Sequence, residues 1–138
     1  MAARPRARVR ALPSDPMARF PGVACAIADF LELVHQLEDV DQHDRERWSA
    51  FTVGARGFGY LWPRTATVGL KQTIAEQLAL VAERPQVFEI QYTSGGFGWV
   101  VVHLDGIDRD ELAELTFEAW RLTASAALVE ARGDRLPV

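Results

Sequence analysis

The chain is poor in several features, and each shortage excludes a class of protein. It has a single cysteine, Cys25, so it forms no intrachain disulfide and no zinc site built on several thiolates, and that usage fits a reducing cytoplasm. No apolar run approaches the roughly 20 residues that span a bilayer, and no membrane partner is expected. It lacks a phosphate-binding G-x-x-x-x-G-K-[ST] loop, a G-x-G-x-x-G turn after a strand, a G-x-S-x-G elbow and an H-E-x-x-H pair. Without those motifs a non-enzymatic domain that needs no cofactor is expected. The last shortage is local. Between Glu46 and Glu76 there is no Asp or Glu, while Arg47, Arg56, Arg64 and Lys71 give that window a net charge of +4.

What is present is ordinary for a globular domain. The 138 residues are 49% hydrophobic and 25% charged, which fits one folded unit and argues against wholesale disorder. Residues 1–16 carry Arg4, Arg6, Arg8 and Arg10 against Asp15, a net +3, with Pro5, Pro13 and Pro16 breaking any apolar stretch. They read as a disordered basic tail ahead of Met17, dispensable for folding, or as a nucleic-acid arm, and not as a secretory signal. Residues 17–128, the expected domain, hold nine basic and sixteen acidic side chains, a net −7. Residues 129–138 balance to zero and read as a C-terminal tail.

Periodicity orders the domain. Ile27, Phe30, Leu31, Val34 and Leu37 recur at helical spacing and predict a helix over about Ala24–Leu37, with Cys25 packed in it. The charged stretch DVDQHDRER reads as a loop. Three short antiparallel strands follow, over about Trp48–Val53, Gly57–Trp62 and Ala66–Lys71, separated by turns at Gly54–Gly57 and Pro63–Thr65. Thr73 and Glu76 form a capping box for a helix that stops before Pro85. Val87–Ile90 is a short extended piece and Ser94–Gly96 a turn. Phe97–Leu104 reads as a central strand with both faces covered. Asp108 and Glu111 cap a last helix that buries Leu112, Leu115, Ala119 and Leu122, with Trp120 bordering the stripe. The expected fold is α+β, an antiparallel sheet packed by the first and last helices.

Several pieces in this order resemble the MmcQ/YjbR family of small bacterial proteins. They are Phe51-Thr-Val-Gly-Ala-Arg-Gly-Phe58, Tyr60-Leu-Trp-Pro63, Gly69-Leu-Lys71, Glu76-Gln-Leu78, Val87-Phe88, Gly98-Trp-Val-Val-Val102, Asp110-Glu-Leu112 and Ala119-Trp-Arg-Leu122, and the likeness runs from about Phe30 to Ser125. The resemblance implies a frataxin/CyaY-like two-layer sandwich with a double-wing arrangement, and a DNA-binding role. It supplies no catalytic residues.

Three readings of function stand side by side. In the first, the hairpins contact nucleic acid: Arg47, Arg56, Arg64 and Lys71 meet phosphates, Arg4–Arg10 assists, and Tyr60 and Trp62 stack on bases. Against it, a domain at −7 is a poor generic DNA binder, and strands carry few acids in any case. Binding is therefore expected to be weak and salt-dependent. In the second, the aromatic sheet and acidic helices bind a protein or small ligand, with the chain a monomer or weak homodimer. In the third, His35 and His43 join Glu38, Asp39, Asp41 and Asp44 as a frataxin-like metal site, although the same residues read equally as a solvated helix end. His103, on an apolar strand, reads as a hydrogen-bonded core histidine.

Overall fold

The computed structural model describes residues 24–138. The Arg4–Arg10 arm, Met17 and the tail expected over residues 1–16 lie outside the described residues.

The helical period seen in the sequence builds α1 over Ile27–Val34, three residues shorter at each end than the expected Ala24–Leu37, so that Cys25 is buried ahead of the helix and not within it; the first turn is closed by Asp29, which accepts from the Ala26 amide at 2.7 Å. Phe30, Leu33 and Val34 are its buried face. The next stretch corrects the loop expectation: Val40–Asp44 is a strand, β1, exposed along nearly all its length and paired with β2 at the margin of the sheet. An edge strand needs only backbone complementarity, so a polar, non-alternating sequence suffices. β2 (Ser49–Val53), β3 (Arg56–Trp62) and β4 (Thr67–Thr73) are the three expected strands, shifted by at most two residues at either end. α2 spans Ile74–Glu83, and Thr73 accepts from the Glu76 amide at 3.0 Å as its cap. The short extended piece grows into a full strand, β5 (Phe88–Ser94), which turns into β6 (Phe97–His103). α3 spans Arg109–Arg121 with Asp108 accepting from the Glu111 amide at 2.8 Å, and α4 spans Ala126–Arg132.

The six strands form one sheet in the order β1-β2-β3-β4-β6-β5, antiparallel throughout. β4 and β5 thus run parallel with β6 between them, and α2 carries the chain across. Phe51, Val68, Leu70, Val100 and Val102 project from one face into the core, where α1, α2 and α3 cover them. Trp120, expected at the border of the α3 stripe, is fully buried and donates its indole N–H to the Glu38 carbonyl at 2.9 Å.

One buried polar residue explains how α2 sits. The β5–β6 ladder slips register between Ile90 and Tyr92, which disturbs the pairing around them. Gln77 enters there from α2, donating to the Tyr92 and Trp99 carbonyls at 3.1 and 2.9 Å. The helix approaches so closely that a Cβ on Gly98 would lie 2.8 Å from that of Gln77.

Residues 129–138, read as a tail, instead hold the last turn of α4 and fold back on the end of α1. Arg132 is buried and donates to the Gln36 carbonyl and the Glu38 carboxylate, and the Val138 amide reaches Gln36 at 2.8 Å.

Candidate nucleic-acid interface

Side chains alternate along a strand, so the register that sends Val100 and Val102 into the core sends Trp99, Val101 and His103 the other way. No helix covers that second face of the sheet among the described residues. It is covered by aromatic side chains instead, which differs from the expectation that β6 would be enclosed by elements on both sides. Tyr60 is the hub: its ring lies 5.7 Å from Trp48, 5.9 Å from Trp62 and 5.5 Å from Trp99. Tyr92 continues the row, 5.5 Å from Trp99. Trp99 is buried within the row, Trp48, Tyr60 and Trp62 are half-buried, and Tyr92 is exposed.

Gly69 forms the floor beside them. A Cβ there would sit 3.0 Å from the Trp62 ring and 2.5 Å from the Gln91 Oε1. That oxygen is buried without a hydrogen-bond partner. Burial, helped by a hydrogen bond with Tyr60, pushes the Tyr92 phenol up to about 12, so the ring carries no charge at neutral pH.

Of the four cations expected at the site, Arg47, Arg64 and Lys71 stand at the ends of this face, whereas Arg56 lies opposite the buried Val53 in the β2–β3 ladder and so turns to the helix side. Ser49 pairs with Leu61, which sets the β1–β2 turn holding Arg47 beside the Pro63–Thr65 turn holding Arg64. Arg56 starts β3 at the other end, where burial and the Arg56 charge lower the Lys71 pKa. The Lys71 ammonium also lies 4.2 Å from the Phe97 ring centre. Four residues of β4 separate Lys71 from Thr67 beside the Arg64 turn, about 13 Å at 3.3 Å per residue. A hollow of about 240 Å³ opens beside Arg56, toward Asp39, Thr123 and Leu128.

Ion pairing divides the cations, with Arg56 the exception on the helical side. Those on the helical side are matched: Arg84 with Glu111, Arg109 with Asp29 at 2.6 Å, Arg121 with Glu118 at 2.7 Å, and Arg132 with Glu38 at 3.0 Å. Among the described residues, Arg47, Arg56, Arg64 and Lys71 have no carboxylate partner, and Arg45 stands over the Trp48 ring at 5.8 Å. The acids that do share the open face sit on its outer strands: Asp41 on β1, and Glu89 on β5, which is bonded to His103 at 2.5 Å.

His103 is therefore half-exposed on the open face and not a core histidine. His35 and His43 point to opposite faces, bonding Gln42 at 2.6 Å and Thr52 at 3.1 Å. Among the described residues, no three His, Cys, Asp or Glu side chains gather as a metal-binding group. Burial, with the charges of Asp29 and Asp108 adding, pushes the Cys25 thiol up to about 12, which suits a packed side chain rather than a nucleophile.

Sequence reasoning found Tyr60 and Trp62 through their place in the acid-free basic window between Glu46 and Glu76. It missed Trp48, Trp99 and Tyr92 as members of the same surface, because only the pairing register brings them together.

A family model described as YjbR matches residues 31–122. Among solved structures, the crystal structure of Deinococcus radiodurans protein DR2400 is similar: TM-score 0.66 at 18% identity, over 80% of this chain and 89% of that one. That structure carries the domain named DUF419. None of the curated proteins matches the chain. Among the described residues, no helix is long and apolar enough to cross a membrane.

Proposed function

The chain belongs to the YjbR family, and we propose that its helix-free sheet face is a non-catalytic platform for nucleic acid, with single strands as the preferred form. The observation that carries this reading is the separation of the charges. Most cations on the helical side are neutralised by neighbouring carboxylates, whereas Arg47, Arg64 and Lys71 flank an aromatic row with no such partner. Unpaired cations at both ends of stacked rings suit a strand whose phosphates are held at either end and whose bases lie on the rings between. Phosphate attraction falls off within about 8–10 Å at physiological salt, so this local patch can act even though the domain as a whole is acidic. The affinity is correspondingly weak, micromolar or poorer. Duplex DNA keeps its bases stacked internally and offers the rings little.

The test uses the full chain with fluorescein-labelled oligo-dT and with a duplex of equal length, read by anisotropy. Oligo-dT binds more tightly than the duplex. Tyr60→Ala with Trp62→Ala weakens it about tenfold or more, since stacking contributes about 1–3 kcal/mol per base. Circular dichroism checks that the half-buried rings are not needed for folding. Equal binding of strand and duplex, or a double variant that binds as the parent does, sinks the stacking role. Absence of any binding at low salt returns this face to the protein- or small-ligand reading.

A further inference from the structure

The hollow beside Arg56 differs in kind from the aromatic face. Val53 and Leu128 give it an apolar lining, and two charges of opposite sign, Asp39 and Arg56, stand on its wall. Neither has an ion-pair partner among the described residues, and they do not pair with each other. Strand pairing explains the gap between them. Val53 on β2 lies opposite Val40 on one side and Arg56 on the other. Asp39 directly precedes Val40, so its backbone stands about two strand spacings from that of Arg56, ~10 Å.

Both charges are held where they are. The two-residue turn Gly54–Ala55 returns the chain so that Arg56 lies beside Val53, and the burial of Val53 fixes the face to which Arg56 turns. Asp39 follows Glu38, whose carbonyl accepts from the Trp120 indole and whose carboxylate is bound by Arg132. With that neighbour pinned, Asp39 takes a left-handed φ of +65°, which few residues other than glycine adopt. Two hydroxyls complete the lining. The Ser125 oxygen accepts from the Leu128 amide and keeps its proton to donate, whereas Thr123 donates to the Ala119 carbonyl and keeps lone pairs to accept.

We propose that this hollow binds a small zwitterion, a free α-amino acid with a branched apolar side chain such as leucine or valine. Its carboxylate meets the Arg56 guanidinium, its ammonium meets the Asp39 carboxylate, and its side chain lies on Val53 and Leu128. Size and charge together select this class. The volume of about 240 Å³ is that of about eight waters at ~30 Å³ each. Drug-sized ligands and cofactors take ~300–1,000 Å³, so a nucleotide is too large. A bare anion would meet Asp39 and a bare cation would meet Arg56, whereas a zwitterion satisfies both. Because both charged groups are exposed, each ion pair contributes little in water, and the affinity is about millimolar. The site lies on the helix side of the sheet and does not depend on what the open face binds.

The test is titration of the isotope-labelled full chain with L-leucine to about 20 mM, followed through its backbone amide resonances. Saturable shifts appear at Gly54, Arg56, Thr123 and Ser125. Isocaproate, which lacks the ammonium, and isoamylamine, which lacks the carboxylate, each bind about fivefold or more weakly than leucine. Asp39→Asn, which leaves the left-handed backbone accessible, and Arg56→Gln each weaken leucine by a similar factor, and the same spectra show that both variants are folded. Absence of saturable shifts at these amides overturns the proposal. So does isocaproate or isoamylamine binding as tightly as leucine, or leucine binding that both variants leave unchanged.

Discussion

Gln77 shows how one side chain can settle the pose of an element. A glutamine inside a helix signals nothing in the sequence, because its inward turn depends on a strand slip between Ile90 and Tyr92, far along the chain. Capping residues behave differently: Thr73 and Asp108 were legible because their chemistry is completed within three residues. Replacing Gln77 by Leu keeps the bulk and removes both donated hydrogen bonds, leaving two buried carbonyls bare. The expected loss is about 2–4 kcal/mol, read from urea unfolding. A Gln77→Leu midpoint equal to the parent's would mean that those carbonyls find other donors. His103 makes the same point, since an apolar strand context suggested burial while the register turned it to the open face beside Glu89.

At the scale of elements, α1 carries a charge that ties its stability to pH. The bond from the Ala26 amide, with Arg109 beside it, holds the Asp29 carboxyl below the usual carboxylate range despite partial burial. A carboxyl lowered by folding stabilises fully above its unfolded pKa, and the contribution is lost as pH falls through the folded value. Asp29→Asn therefore costs about 1 kcal/mol near neutral pH, and the gap to the parent narrows as pH falls below the ordinary carboxylate range toward the lowered folded value. Urea midpoints at pH 7 and pH 3 measure it, and an equal gap at both would remove Asp29 from this role. Elements with an apolar period, α1, α3 and the three middle strands, were readable in place. β1 and the outer half of β5 were not: they lie at the sheet's edges, where backbone pairing alone makes a strand and side chains leave no alternation. The C-terminal segment was misread for a related reason, because Arg132 looks like a surface charge until Glu38 is brought to it from 94 residues away.

For the whole molecule, the sequence showed an acid-free window and an acidic remainder, but not how the fold would dispose them. The sheet separates most of them: helices and their matched ion pairs on one side, Arg47, Arg64, Lys71 and the aromatic rings on the other, with Arg56 turned to the helix side opposite Val53. It also leaves Arg47 and Arg64 at one end of the open face and Lys71 toward the other instead of one cluster, so a bound strand has to span the row to meet them all. The most direct measurement of that arrangement is the salt dependence of oligo-dT binding, made on the full chain with Arg4, Arg6, Arg8 and Arg10 replaced by alanine so that the arm does not contribute. Three phosphate contacts on a single strand give log affinity against log salt a slope of about −2, and Arg64→Ala with Lys71→Ala, one cation from each end, flattens it by about 1.4. A slope near zero, or one that the double variant leaves unchanged, would contradict phosphate binding by this face.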